Sequence, residues 1–175
     1  CGVGMAGLAF LLKQRGMNVT GCDTSLNALA AWLGQHGISV SDSHHPDHVV
    51  SDTDWVVRST AVAETNDEVK AALQRDIPVF RRGEVLPELL SGRRSVAVAG
   101  THGKTTTASF ITQIMRLAGK DPSWCIGGET EVLGGVAGVG VGGGIVVEAD
   151  ESDGTLTHYC PDNAVVTNIE FDHGE

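Results

Sequence analysis

The amino-acid sequence predicts an α/β protein of two units, each built on a parallel sheet. Three observations carry that prediction. Short apolar runs alternate with helical patterns of roughly 10–15 residues, as in a doubly wound sheet. The chain opens on Gly2-Val-Gly-Met-Ala-Gly7, a G-x-G-x-x-G that runs straight into a helix. Near its middle, Ser95-Val-Ala-Val-Ala-Gly-Thr-His-Gly-Lys-Thr-Thr-Thr107 reads as strand, glycine loop and helix. Together they predict a Rossmann-like unit over residues 1–92 and the front part of a P-loop α/β unit over residues 93–175. The polar Ser91-Gly-Arg-Arg94 is the expected hinge.

In the first unit, the three glycines let the backbone approach a diphosphate at a helix start, and Leu8, Leu11 and Leu12 continue the helix to a stop at Gly16. A strand belongs before such glycines and only Cys1 precedes them, so a first strand is expected to be missing. Asn18 to Cys22 reads as the next strand, with Asp23 at its end, where an acidic side chain commonly meets a ribose. A close-packed helix–strand turn with a solvated aspartate would look the same. Ser25 is expected to cap a helix with Leu26, Leu29, Ala30 and Leu33 on one face, and Ile38 to Ser41 resumes a strand.

Ser43-His-His-Pro-Asp-His48 is polar and carries a proline, hence a loop. Its three histidines raise the question of a metal. Without a carboxylate or cysteine at ligand spacing, they read as solvated side chains or ligand contacts. Trp55 to Arg58 is a short strand ending in Ser59-Thr60-Ala61. Thr65-x-x-Glu68 is a capping box opening a helix through Val69, Ala72 and Leu73, and Pro78-Val-Phe80 is the strand that follows. Arg81 and Arg82 come next, as phosphate contacts or as plain surface charge.

The second unit is organised around Gly100-Thr-His-Gly-Lys-Thr-Thr106. In such a turn the backbone N–H groups of Gly100 to Thr105 can face one concavity, and the positive end of the helix adds to them. Lys104 would supply a full charge to the outer phosphates, and the Thr105 hydroxyl could ligate the accompanying Mg²⁺. Val98 stands where a P-loop has its first glycine, which makes this a shortened variant. The helix is expected to bury Ala108, Ile111, Met115 and Ala118 together with Ile114, and to stop at Gly119. Gly127-Gly128 and the run from Gly134 to Gly144 read as flexible turn or loop, since no helix start follows them. Ile145-Val-Val147 is a buried strand ending in Glu148-Ala-Asp-Glu-Ser-Asp-Gly154, and Ala164-Val-Val166 is another, ending in Thr167-Asn-Ile-Glu-Phe-Asp-His173. Ligands of open α/β sheets sit beyond the carboxyl ends of strands, so a carboxylate and an imidazole from these ends could hold a divalent metal.

Composition narrows the function classes. A chain of 175 residues with 41% hydrophobic and 19% charged residues carries apolar material for more than one core. No apolar run approaches the ~20 residues of a membrane span. The net charge of −10 argues against a nucleic-acid surface, so an anionic ligand has to be held by local loops and a metal. Cys1, Cys22, Cys125 and Cys160 show no paired spacing, which argues against a zinc site or disulfide framework and fits reduced thiols in a cytosol.

Gly100-Thr-His-Gly-Lys-Thr-Thr-Thr107, Glu148-Ala-Asp-Glu-Ser-Asp-Gly154 and Val166-Thr-Asn-Ile-Glu-Phe-Asp-His173, in that order, resemble the central-domain motifs of the Mur ligases. The segments Gly2-Val-Gly-Met-Ala-Gly-Leu-Ala, Gly21-Cys-Asp-Thr-Ser25, Ser59-Thr-Ala-Val62 and Ile77-Pro-Val-Phe-Arg-Arg82 are similar to the same family. The glycine-rich stretch before Ile145 departs from the family pattern, and no site is assigned to it. The resemblance implies a cytoplasmic bacterial enzyme of peptidoglycan precursor synthesis, with a UDP-sugar domain, an ATPase domain and an amino-acid domain. Of these the chain would hold the first and the front of the second, and would not ligate anything by itself. ATP and Mg²⁺ are the implied cofactors, and UDP-N-acetylmuramate and L-alanine the implied substrates. Carried over by position, Gly100, Thr101, His102, Gly103, Lys104, Thr105 and Thr106 match the ATP loop. Thr105, Glu148 and His173 match metal ligands, with Lys104 and His173 in catalytic roles. Gly2, Gly4, Met5, Gly7, Asp23, Thr24, His44, Ser59 and Thr60 match the sugar-nucleotide side.

Two other readings compete. A recycling ligase that joins a tripeptide to UDP-N-acetylmuramate shares the ATP loop, but its acidic motif usually lacks the run Ser152 to Gly154. A nicotinamide-binding regulatory or oxidoreductase module would explain Gly2, Gly4, Gly7 and Asp23 and leave Lys104, Glu148 and His173 without a role.

Overall fold

Helix α1 (Val3–Gln14) starts at Gly2, whose backbone is extended, with no side-chain cap and no acidic residue in the first turn. Its inner face buries Ala6, Leu8, Phe10, Leu11 and Leu12, and each fully buried leucine contributes about 1.5–3 kcal/mol. The structure, a computed structural model, describes every residue except 131, 151–153, 155 and 171–175. Contacts divide it into Cys1–Val85 and Leu86–Glu175.

In the first unit β1 (Thr20–Cys22) pairs in parallel with β2 (Ser39–Ser41), and β3 (Val56–Arg58) with β4 (Val79–Arg81). Among the described residues these remain two separate ladders. Helix α2 (Ala28–Gln35) joins the first pair and α3 (Asp67–Gln74) the second, as parallel pairing requires a crossover. Val49, Ala71, Ala72 and Ile77 form a small core flanked by Val56 and Val79. Phe10, Trp32 and His36 meet in tilted and edge-on contacts with ring centroids 4.6–5.0 Å apart, fastening α1 to α2.

Both helix caps differ from the sequence expectation. Asn27, not Ser25, caps α2, its side chain accepting from the Leu29 and Ala30 amides. The Ser25 amide instead donates to Asp23 Oδ1 at 2.8 Å, and Leu26, left outside the helix, is exposed. Asn66 caps α3 in place of the Thr65–Glu68 box, accepting from the amides of Glu68 and Val69. Asparagine caps more strongly than threonine, and the Glu68 carboxylate is bonded to Cys22, His44, His48 and the His45 amide instead. The short helix α4 (Arg82–Val85) closes the unit.

The second unit is one five-stranded sheet in the order β7-β6-β8-β5-β9, comprising β5 (Arg94–Ala99), β6 (Ser123–Thr130), β7 (Gly135–Gly138), β8 (Gly144–Glu148) and β9 (Asn163–Val166). All neighbours are parallel except the β6–β7 hairpin. Ser95 and Asp162 fasten the start of β5 to the approach to β9: the Ser95 amide donates to Asp162 Oδ2 at 2.7 Å and the Asp162 amide to Ser95 Oγ at 3.0 Å. Helix α5 (Lys104–Leu117) lies on the sheet, and Ala108, Val98, Trp124, Ile126, Leu133 and Val146 form the core, with Ile111 and Met115 against it.

Two expectations need correction here. Ile114 and Ala118 do not share the buried face of α5; Ile114 is 65% exposed, as Phe110 is, Leu117 is 79% exposed, and Ala118 is exposed beyond the helix end. The face that turns inward carries Ala108, Ser109 and Thr112. Thr112 is tolerated there because its hydroxyl donates to the Ala108 carbonyl at 2.8 Å. The glycine-rich stretch is also not a free loop. Gly127 and Gly128 lie within β6, and Gly135–Gly138 is β7. The turn after it is pressed on the segment before β6, where a Cβ on Gly142 would sit 1.5 Å from the Lys120 carbonyl oxygen. Close backbone packing, rather than freedom, explains the glycines.

Candidate functional site

Strand β5 ends at Ala99, and the chain turns through Gly100 and Gly103 into α5. Gly100 has φ +124°, and a Cβ there would stand 2.2 Å from Thr167 Oγ1 and 2.8 Å from the Asn168 carbonyl oxygen, so no other residue fits without displacing the loop. The residues after β9 brace the turn. Thr167 Oγ1 lies 2.6 Å from the His102 carbonyl and 3.2 Å from that of Ala99. The Thr101 amide donates to the Asn168 carbonyl at 3.2 Å, and the His102 amide to Asn168 Oδ1 at 2.9 Å.

The loop amides are therefore divided in a way the motif alone did not indicate. Those of Thr101 and His102 are turned to Asn168, and the anion-directed part of the turn is the start of α5, where Gly103 is left-handed and no side chain caps the helix. Lys104 Nζ folds back over the turn, donating to Gly100 O at 2.5 Å and Thr101 O at 3.2 Å. An ammonium held there sits above the concavity, on a helix of 14 residues that keeps it in place.

Beside this turn, Thr105 Oγ1 donates to Glu148 Oε2 at 2.9 Å. Parallel pairing of β5 with β8, Val98 opposite Glu148, puts the carboxylate at the level of the loop. The Gly127 amide donates to the same oxygen at 2.7 Å, and a Cβ on Gly127 would lie 2.8 Å from the carboxylate. Gly127 is thus part of the site, a role its neighbours in sequence gave no sign of. His173 lies outside the described residues. His102 and Glu170 approach each other only to 4.0 Å, both exposed.

In the first unit, Gly2 holds the position before α1 without a side-chain cap, and Gly4, Met5 and Gly7 occupy its opening turns. The Arg82 side chain lies against Gly4, with Nη1 3.0 Å from where a Cβ would be. A guanidinium thus stands at the uncapped positive end of a helix, an arrangement suited to a diphosphate. Asp23 follows β1, its amide bonded to Ser41 O at 2.9 Å, and Thr24 lies in the turn it begins. Ser59 and Thr60 follow β3 in a turn held by Arg58, which donates to Val62 O at 2.7 Å and to Glu64 at 3.2 Å. His44 is brought to Cys22 and Glu68, at 3.1 and 3.2 Å.

A parallel α/β sheet with a glycine turn, a lysine at the helix start and a carboxylate on the adjacent strand end defines an α/β protein of the phosphate-loop type. The profile of the Mur ligase family, catalytic domain, matches residues 1–94, and this chain belongs to that family. It is 48% identical over 172 residues to the UDP-N-acetylmuramate--L-alanine ligase of Neisseria meningitidis serogroup C (strain 053442), covering 98% of this chain and 36% of that protein. The enzyme of the same name from Symbiobacterium thermophilum is 46% identical over 174 residues, 99% of this chain and 36% of that protein. Among solved structures, UDP-N-acetylmuramate-alanine ligase MurC from Thermotoga maritima matches with a TM-score of 0.92 at 28% identity, covering 98% of this chain and 40% of that one. The UDP-N-acetylmuramate:L-alanyl-gamma-D-glutamyl-meso-diaminopimelate ligase from Neisseria meningitides matches with a TM-score of 0.91 at 31% identity, over 100% of this chain and 60% of that one. The chain thus spans about a third of the length of these curated relatives. No helix among the described residues is long and apolar enough to cross a membrane.

Proposed function

We propose that this chain belongs to an ATP-dependent ligase that joins L-alanine to UDP-N-acetylmuramate through an acyl phosphate, in peptidoglycan precursor synthesis. On this reading residues 1–92 bind the sugar nucleotide and residues 93–175 carry the ATP loop. The observation that carries it is the Thr105–Glu148 pair at the uncapped start of α5. A hydroxyl and a carboxylate are hard oxygen donors, which fits Mg²⁺. Thr105 and Glu148 would hold the ion, with His173 a further ligand by family position. Mg²⁺ supplies charge neutralisation on the phosphates when bound.

The remaining roles fall to the chain's own residues. Lys104 leaves the carbonyls of Gly100 and Thr101 and turns to the outer phosphates, where its charge counts most as negative charge grows on the transferred group. The α5 start, from Gly103 to Thr106, binds and orients the phosphate chain, while Thr167 and Asn168 keep the turn from collapsing into the space. Gly2, Gly4, Met5 and Gly7 accept the diphosphate at the start of α1 with Arg82 alongside. Asp23 and Thr24 would meet the ribose, and Ser59 and Thr60 would extend that side.

The test is a chimera in which these 175 residues replace the matching segment of the Neisseria meningitidis relative. Phosphate release from ATP should require both UDP-N-acetylmuramate and L-alanine. Release with the tripeptide and not with L-alanine would favour the recycling ligase, a reading supported by the 31% identity to the meso-diaminopimelate-containing peptide ligase. The curated relatives at 45–48% identity favour L-alanine. Preferential binding of NAD over UDP-N-acetylmuramate by the 175-residue chain would remove both.

A further inference from the structure

Cys22, His44, His48 and Glu68 meet around one carboxylate in the first unit, although they are scattered over 46 residues of sequence. Cys22 ends β1, His48 ends the 3₁₀ turn Pro46–His48, and Glu68 stands in the first turn of α3. The thiol of Cys22 donates to Glu68 Oε2 at 2.6 Å, and His48 Nδ1 lies 2.6 Å from Oε1. The His45 amide adds a bond to Oε1 at 3.3 Å. Glu68 is 8% exposed, a position a carboxylate keeps only with several partners. The three expected loop histidines lacked a carboxylate and a cysteine at ligand spacing; folding supplies both from outside the loop.

We propose that Cys22, His48 and Glu68 form a binding site for a borderline-soft divalent metal ion, Zn²⁺ by donor type, with His44 as a positioning residue on its rim. One sulfur, one imidazole nitrogen and one carboxylate oxygen lie within 4.8 Å of one another. The edges of a tetrahedron with zinc–sulfur, zinc–nitrogen and zinc–oxygen bonds are about 3.3–3.8 Å, so the hydrogen-bonded pairs need to part by about 1 Å to admit the ion. Mixed sulfur, nitrogen and oxygen donors select against Mg²⁺ and Ca²⁺, which take oxygen ligands. Three protein ligands leave a fourth position to water or another ligand. The thiol proton now shared with Glu68 leaves for solvent when the sulfur binds, so each ion taken up releases about one proton. His44 touches both the sulfur and the carboxylate and orients them without closing the site. None of this depends on the ligase reading.

The test is titration of the 175-residue chain with Co²⁺, following the sulfur-to-cobalt charge-transfer absorption and the ligand-field bands that mark four-coordination. One equivalent should saturate both, and Zn²⁺ should bleach them. Cys22→Ser should abolish the charge-transfer band. His48→Gln and Glu68→Gln should each weaken Co²⁺ at least about tenfold, and His44→Gln about tenfold with the band retained. Cys160→Ser, which alters an exposed thiol, should change nothing. Far-ultraviolet circular dichroism of each variant separates lost ligands from lost fold. Absence of a saturable band in the folded wild-type chain would overturn the proposal, as would a band that survives Cys22→Ser or follows Cys160.

Discussion

The Thr105 hydroxyl and the Glu148 carboxylate, 43 residues apart in sequence, stand 2.9 Å from each other, the first in the opening turn of α5 and the second at the end of β8. The strand register and the helix start position each of them separately, so the pair is preformed. A preformed pair of oxygen donors is worth most to a cation that demands tight geometry. Glu148→Gln should therefore lower the affinity of the 175-residue chain for ATP in the presence of Mg²⁺ by about tenfold or more and leave the metal-free affinity nearly unchanged. Calorimetric titration with and without Mg²⁺ checks it; an equal loss in both would mean the carboxylate only supports the loop.

Lys104→Ala removes the ammonium that bridges Gly100 O and Thr101 O. In the chimeric ligase it should reduce turnover by about 3 kcal/mol or more of transition-state stabilisation, roughly a hundredfold to a thousandfold. Steady-state phosphate release measures this, and near-normal turnover would deny the lysine its role.

Gly100→Ala sets a methyl group against Thr167 and Asn168 at a left-handed backbone position. The strain alone is about 1–3 kcal/mol, to which the collision adds. Urea denaturation should show a loss of at least about 2 kcal/mol. Thr167→Ala in the same chain should recover only part of that loss, because the Asn168 carbonyl and the φ angle remain. Full recovery would mean that the hydroxyl alone dictates the glycine.

The cluster around Glu68 makes opposite predictions at the two ends of the pH range. Burial first, then the hydrogen bond and charge of Glu68, push the Cys22 thiol from 9.0 up to about 12. Between those values the unfolded chain has lost the proton and the folded one keeps it, so stability falls as pH rises from about 9 to 12. Burial pushes the Glu68 carboxyl upward, but hydrogen bonds from Cys22, His48, His44 and the His45 amide outweigh it and hold the group below its usual 4.5. Its contribution is complete above 4.5 and is lost as pH falls through the lower folded value. Cys22→Ala should flatten the alkaline decline and Glu68→Gln the acid one in urea midpoints measured against pH. Unchanged slopes would mean the groups are solvated in solution.

Arg82 at Gly4 leads to a last expectation for the first unit. Arg82→Ala should weaken UDP-N-acetylmuramate binding by roughly tenfold, the scale of one charge-assisted hydrogen bond. Fluorescence titration of the 175-residue chain reads it. Unaltered affinity would return Arg82 to the ordinary surface charges.

The sequence is legible wherever a residue's role is decided by its immediate neighbours. The apolar runs indicate β5, β8 and β9 and the helix α5 that follows β5, and the strand–glycine–lysine pattern indicates the turn at Gly100. The caps lie two residues beyond Ser25 and one beyond Thr65, because Asn27 and Asn66 offer a side-chain acceptor nearby and so small a shift alters little in the pattern. The exposure of Ile114 is not legible in the sequence, since which side of a helix meets the sheet depends on strands that arrive later in the chain.

By itself the sequence determined the class of fold, the glycine turn with its lysine and threonine, and the family. These are written in short contiguous runs, where chain connectivity alone holds the residues together. Only the tertiary structure decided that Asn168 takes two of the loop amides, that Gly127 touches Glu148, and that Cys22, His48 and Glu68 share one point. Each of those contacts spans 20 residues or more, and it exists because strand register and helix packing bring distant segments to hydrogen-bonding distance. No spacing rule along a chain encodes that geometry, because the intervening residues follow the sheet rather than the site.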